Sequence, residues 1–216
     1  AMGTFAQDTA DEYQLTREQM DDYSIESLRR ANAAIDSGAF ADEIAAVTFT
    51  TRKGEVTVDT DEAPGRGNPD KIPQLRPAFA KDGTITAATS SSISDGAAAL
   101  VLSRESVAKE NGQEAVAKIV AMAAHAQEPS EFTVAPIGAI EKVLSEAGWS
   151  ADDVDLWEVN EAFACVAMFA MRDIGIPHEK INVNGGGTAL GHPIGASGAR
   201  IIVTLLNALK QQGKTR

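Results

Sequence analysis

Cysteine, positive charge and long apolar runs are all scarce in this chain of 216 residues. The single cysteine, Cys165, cannot form an internal disulfide, which fits a reducing compartment. Lysine and arginine number 19 against 31 aspartate and glutamate, a formal charge of -12. That balance argues against a surface built to neutralise a phosphodiester backbone, so no nucleic-acid partner is expected; a single anionic ligand needs only a local basic patch. No apolar run approaches the length of a membrane span, and the start carries neither a basic nor an apolar leader segment. A cytoplasmic location with no membrane partner is therefore the expectation. What is present is 44% hydrophobic and 23% charged residues, enough to bury a core in one or two domains.

Thr16 and Gln19 have capping-box spacing, and Gly38 follows a helical run, so a helix is predicted over 16–36. The β-branched stretches 44–51 and 55–59 flank Lys53-Gly54 and read as a hairpin. From Asp61 to Pro77, prolines and glycines recur too often for a continuing helix or a central strand, so a long loop is expected. It brings Arg66, Lys71 and Arg76, with Lys81 beyond, into an acidic chain.

After Gly96, short apolar runs alternate with helical patterns, the sequence form of a layered α/β domain. Strands are predicted at 97–102, 117–122, 154–159 and 181–184. Helices are predicted at 136–147, with Thr133 as cap and Gly148 as stop, and at 161–173 and 199–210. A sheet would ordinarily gain another strand after the last of these helices, so the domain is expected to continue beyond Arg216.

Two motifs carry chemistry. Asn160-Glu161-Ala162-Phe163 lies where an expected strand hands over to a helix, the place where α/β sheets put their ligands. Asn160 there either fixes a water or a carbonyl, or simply caps the helix. The second motif, Asn184-Gly185-Gly186-Gly187 followed by Gly191-His192-Pro193-Ile194-Gly195-Ala196-Ser197-Gly198, surrounds one histidine with permissive backbone ahead of a helix. His192 is a candidate acid, base or oxyanion donor; a tight connection that happens to contain a histidine is the bland alternative.

The order strand, N-E-A-F, strand, N-G-G-G, G-H-P-I-G-A-S-G-A-R, helix resembles the C-terminal catalytic region of the thiolase family. Met2-Gly3-Thr4 and Leu15-Thr16-Arg17-Glu18 are similar to its loop domain. Leu75-Arg76-Pro77-Ala78-Phe79 is similar to its coenzyme A-facing segment, and residues 83–99 to its return strand. The resemblance implies a partial layered α/β thiolase fold. Its parts are loop domain at 2–93, a returning strand of the N-terminal half at 94–114, and a C-terminal domain at 115–216.

The resemblance further implies that His192 activates a nucleophilic cysteine and that Asn160 positions a water for an oxyanion hole. Ser91 and Phe79 would face the pantetheine and Leu75 the adenine, with Phe132 and Phe163 lining the acyl tunnel. Arg66 would partner adenine or phosphate, unless it is a solvated loop charge; core packing is the alternative for the three phenylalanines. Thr89-Ser90-Ser91-Ser92 departs from the family's Asn-Ala-Ser-Gly. Neither family cysteine is expected within these residues: the nucleophile would lie upstream and the second cysteine in a C-x-G motif beyond Arg216. Cys165 matches neither and reads as a small buried hydrophobe. Coenzyme A or acyl-CoA is the implied substrate, with no prosthetic group or metal, and a homodimer or homotetramer the implied assembly. Leu156-Trp157-Glu158-Val159-Asn160 looks most like the acetyl-CoA C-acetyltransferase branch, which joins two acetyl-CoA into acetoacetyl-CoA and CoA and runs the reverse thiolysis. A degradative 3-ketoacyl-CoA thiolase and a non-catalytic coenzyme A-binding protein are the alternatives, and the chain alone is expected to be inactive.

Overall fold

A computed structural model describes residues 1–216. The first helix, α1 (Met2–Glu12), was not predicted. Its buried face is Gly3, Ala6, Gln7, Thr9 and Ala10, small or polar residues that leave no aliphatic stripe to read. Gln7 ties α1 to a distant segment: its Oε1 accepts from the backbone N–H groups of Thr84 (2.9 Å) and Ile85 (3.0 Å). Helix α2 (Arg17–Asp36) begins on the expected capping box, with Thr16 Oγ1 accepting from Gln19 N at 3.2 Å and Gln19 Oε1 from Thr16 N at 2.9 Å.

Strands β1 (Val47–Thr51) and β2 (Gly54–Val58) form the expected antiparallel hairpin, with Phe49 opposite Val56. The expected loop at 61–77 instead contains helix α3 (Glu62–Arg66) and a 3-10 turn, Pro69–Gln74. Pro64 and Pro69 fall in first turns, where a missing N–H costs nothing, so proline punctuates these helices without abolishing them.

The predicted strands 97–102 and 117–122 do not form, and only the short helix α4 (Glu105–Glu110) lies between them. No backbone–backbone hydrogen bond involves residues 93–103 or 114–127 other than within secondary structure. Val101, Val116 and Met122 are largely exposed. A strand owes its ladder to a neighbour, and here none is in reach.

Helix α5 (Ala135–Ala147) starts on the backbone of Val134, not on Thr133, whose buried hydroxyl finds no partner; it ends at Gly148 as expected. Segments 154–159 and 181–184 meet at one parallel bridge, Trp157 with Ile181, in place of full strands. The ladder stops because Asn182 turns into left-handed backbone, at φ 45°. Its side chain then supplies the next rung: Oδ1 accepts from Val159 N at 2.9 Å and Nδ2 donates to Val159 O at 2.8 Å. Helices α6 (Ala164–Ile174), α7 (Gly187–Leu190) and α8 (Ile194–Gln212) complete the chain, α8 starting five residues earlier than predicted. The main core packs Met20 and Tyr23 of α2 with Ile85, Phe163, Phe169 and Ile181, so the N-terminal helices lie on the elements that carry both motifs.

Candidate active site

The two motifs are locked together by one carboxylate. Glu161 is fully buried and accepts from Tyr23 Oη (2.8 Å), Ser27 Oγ (2.9 Å), Asn182 Nδ2 (2.8 Å), Thr188 Oγ1 (2.7 Å) and Thr188 N (3.1 Å). Charge-assisted bonds of this number offset the cost of burying an anion. Burial and the adjacent Glu161 push the Tyr23 hydroxyl well above its ordinary range, so Tyr23 remains a donor. Gly186 must lack a side chain here, because a Cβ would overlap the Glu161 carboxylate. α2, the N-E-A-F turn and the glycine loop therefore share one polar hub.

Segment 89–92 stitches the motifs from the other side. Ala164 N donates to Thr89 O (2.9 Å), Ser90 bridges Phe163, and Ser91 N donates to Ala162 O (3.1 Å). His192 N then donates to Ser92 O (3.1 Å). Gly191 sits at φ 93°, and a Cβ there would strike Ser94 Oγ. The backbone thus approaches closely enough to bring His192 against Asn160.

Two contacts of Ser197 bear on the imidazole tautomer. Ser197 Oγ is 2.7 Å from His192 Nδ1 and 3.1 Å from Pro193 O, and its one proton serves one of the two. With the hydroxyl proton directed at Pro193 O, Nδ1 is the donor and Nε2 keeps its lone pair; with that proton directed at Nδ1, the tautomer is reversed. Asn160 Nδ2 lies 3.4 Å from Nε2 and 3.5 Å from Nδ1, a loose contact that orients the amide without tying up Nε2. Asn160 Oδ1 is buried and unpartnered. Burial, then the charge of Arg200, lowers the His192 pKa below that of a free imidazole, so the ring is neutral at physiological pH. A neutral Nε2 beside an amide donor can accept a proton and then help hold a developing oxyanion.

A model of the thiolase N-terminal domain matches residues 1–106 and a model of the thiolase C-terminal domain matches residues 113–216. The chain belongs to the thiolase family. It is 51% identical to an acetyl-CoA acetyltransferase of Yarrowia lipolytica over 97% of its own length and 53% of that protein. It is 47% identical to a probable acetyl-CoA acetyltransferase of Dictyostelium discoideum over 98% of its length and 51% of that protein. Among solved structures, it superposes on the acetyl-CoA acetyltransferase of Bacillus anthracis with a TM-score of 0.95 at 41% identity, covering 99% of this chain and 54% of that one. The Acat5 thiolase of Ascaris suum, solved in complex with coenzyme A, gives 0.87 at 40% identity, covering 96% and 53%. The fold is accordingly the layered α/β fold of the thiolases, and the chain spans about half the length of these relatives.

Within this thiolase chain, the candidate residues separate into two groups. Phe163 packs edge-on against Phe79 (6.2 Å between centroids) and Phe132 (6.0 Å). Ser91 Oγ is spent on Ala162 O at 2.9 Å, so its hydroxyl donates inward. Phe132 also lines an open cavity of about 320 Å³ together with Glu158, Val159 and Asn160. Leu75 and Arg66 make no such contact. Leu75 O accepts from Arg17 (2.8 Å), and the exposed Arg66 pairs with Glu62 on its own helix at 2.7 Å.

Cys165 is fully buried in α6, and burial pushes its thiol up to about 12, the chemistry of an inert core residue. Sequence reasoning missed Ser197, Glu158 and Arg200. Ser197 carried a signal, standing five positions after His192 in the first turn of α8; the burial of Glu158 left none, since glutamate in a short strand reads as a surface residue.

Proposed function

We propose that this chain supplies the base-bearing half of an acetyl-CoA C-acetyltransferase active site, serving 2 acetyl-CoA → acetoacetyl-CoA + CoA and the reverse thiolysis. The observation that carries the reading is the His192 imidazole, held at Nδ1 by Ser197 at 2.7 Å and set against Asn160 Nδ2 at 3.4 Å from Nε2; the reading takes Nδ1 as protonated and Nε2 as open. In this reading Nε2 takes the proton of a nucleophilic thiol, and His192 with Asn160 then stabilises the thioester oxygen. Phe79, Phe132 and Phe163 form the wall along which pantetheine and acyl group lie, with Ser91 beneath. Leu75 and Arg66 would meet the adenine end. The identities to acetyl-CoA acetyltransferases support the short-chain reaction.

The thiol is the missing part. Cys165 is the one cysteine, and its burial removes it from the reaction. On this reading residues 1–216 would be inactive alone and gain activity with a cysteine-bearing half; cytoplasmic lipid metabolism and a homo-oligomeric enzyme complete the proposal. Its domain boundaries are loop domain 2–93, a segment 94–114 that would pair as the returning strand of the N-terminal half once that half is present, and C-terminal domain 115–216. The test is acetoacetyl-CoA thiolysis by the chain alone and joined to the remaining half of a relative. Silence alone and turnover when joined, abolished by His192→Ala, is the expected pattern. Turnover by the chain alone would overturn it. A degradative 3-ketoacyl-CoA thiolase is the second reading, favoured by an apolar cavity of about 320 Å³ that exceeds the needs of an acetyl group. Faster thiolysis of longer 3-ketoacyl-CoA than of acetoacetyl-CoA by the joined enzyme would select it.

A further inference from the structure

The segment that runs from the 3-10 turn Pro69–Gln74 to Phe79 has few backbone ties of its own. Leu75 follows the turn in extended backbone, and no backbone–backbone hydrogen bond joins residues 73–77 to another element. Pro73 and Pro77 have no N–H to offer, and the carbonyls of residues 73–75 find no backbone donor. One side chain meets that need. Arg17, the first residue of α2, donates from Nη2 to Leu75 O (2.8 Å), Ile72 O (3.1 Å) and Pro73 O (3.4 Å). A cation against the last carbonyls of a helical turn is favourable, and the planar guanidinium fixes their directions. Its Nε donates to Asp21 Oδ2 at 2.7 Å, and Asp21 is buried one turn along α2, so the guanidinium is itself held from behind. Ile72 packs into the smaller core with Leu28, Ala31 and Ala189.

What Arg17 holds leads to the aromatic wall. Ala78 N donates to Ile85 O at 2.8 Å, and Phe79 lies over Gly3, where a Cβ would overlap its ring, and meets Phe163 of the N-E-A-F motif edge-on. The exposed Arg76 stands between these two anchorages. We propose that Arg17 is a positioning residue for the nucleotide end of acyl-CoA, holding Leu75 and Arg76 in register with the wall formed by Phe79 and Phe163. The proposal rests on the reading of Leu75 and Phe79 as coenzyme A contacts. No hydrogen bond joins Arg17 to Asn160 or His192, so its loss should weaken binding of the nucleotide without slowing the chemistry.

The test compares two thiolysis reactions of the chain joined to the remaining half of a relative. One uses acetoacetyl-CoA with coenzyme A as acceptor; the other uses acetoacetyl-pantetheine with pantetheine, the same thioester without the nucleotide. Arg17→Gln should raise KM for acetoacetyl-CoA about tenfold with kcat within about twofold of wild type, and should leave kcat/KM for the pantetheine pair within about twofold. Arg29→Gln, which removes an exposed arginine of the same helix, should change neither. Should Arg17→Gln not fold, Arg17→Lys, which keeps the cation without the planar fork, should show the same split at about threefold. Equal losses on both substrates would make Arg17 a structural residue only, and an unmoved KM for acetoacetyl-CoA would free the segment from it; either overturns the proposal. Coenzyme A binding, measured in parallel, separates this proposal from the reaction. A joined enzyme that binds coenzyme A and turns nothing over removes the reaction, and about tenfold weaker coenzyme A binding in Arg17→Gln, with pantetheine binding unmoved, would still support the positioning role. Unchanged coenzyme A binding in that variant, or none in the joined wild type, would overturn it.

Discussion

Glu158 and Glu161 stand three residues apart, and both bury their carboxyls, but they are built in opposite ways. Glu161 receives five hydrogen bonds from four residues on three elements and ties the glycine loop to α2. Glu158 has one loose ion pair and one oxygen with no bond. The contrast shows that burial alone does not define a carboxylate's job. A saturated one is architecture, whereas an unsaturated one beside a cavity is available to respond to pH.

The largest effect that would break this comparison is at the hub. Glu161→Gln leaves the donors of Tyr23, Ser27 and Thr188 facing an amide with a single acceptor, and a loss of ~3 kcal/mol or more is expected from denaturant unfolding. A loss comparable to that of an exposed substitution would mean the hub is not what joins the motifs. Next comes Asn182→Ala, which removes the side-chain rung at Val159 and one bond to Glu161. A cost of about 1–3 kcal/mol is expected, together with faster amide exchange at Val159.

Glu158 should respond to pH in a range where an ordinary glutamate is already ionised. An ordinary glutamate titrates near 4.5, and Glu158 in the folded chain near 8. Below the first value both states hold the proton, and its stabilising effect is fully present. Between the two only the folded state holds it, so stability falls as pH rises and the contribution is gone above about 8. Glu158→Gln should flatten the stability profile across that window, by an amount on the order of a few kcal/mol. A profile that still falls with the wild-type slope would assign the titration to another group. The smallest effect is at Cys165, where replacement by Ala should cost about 1 kcal/mol and the native thiol should resist alkylation. Rapid labelling of the folded chain would place Cys165 in a site the structure denies it.

Much of this was legible in the sequence where a local rule suffices. The capping box at Thr16, a hairpin near Lys53 and the stop at Gly148 each follow from a few neighbouring residues and each formed, although the hairpin turns at Arg52-Lys53, one residue before the expected Lys53-Gly54. The association of Asn160 with His192 was legible through the motifs. Strands were not: 97–102 and 117–122 have the composition of buried strands, but a ladder is a property of two segments, and these have no partner. Helix α1 escaped because it packs through alanine, glycine and glutamine. Glu158, Arg200 and the Asn182 rung depend on contacts across 23 to 42 residues, for which no spacing rule exists.

The decisive measurement is the nitrogen-15 NMR spectrum of His192 at neutral pH, with Ser197→Ala as control. A protonated Nδ1 and an unprotonated Nε2 are expected in the wild type, with loss of that tautomeric preference in Ser197→Ala. A doubly protonated ring, or a proton resident on Nε2, would contradict the assignment of His192 as the waiting base.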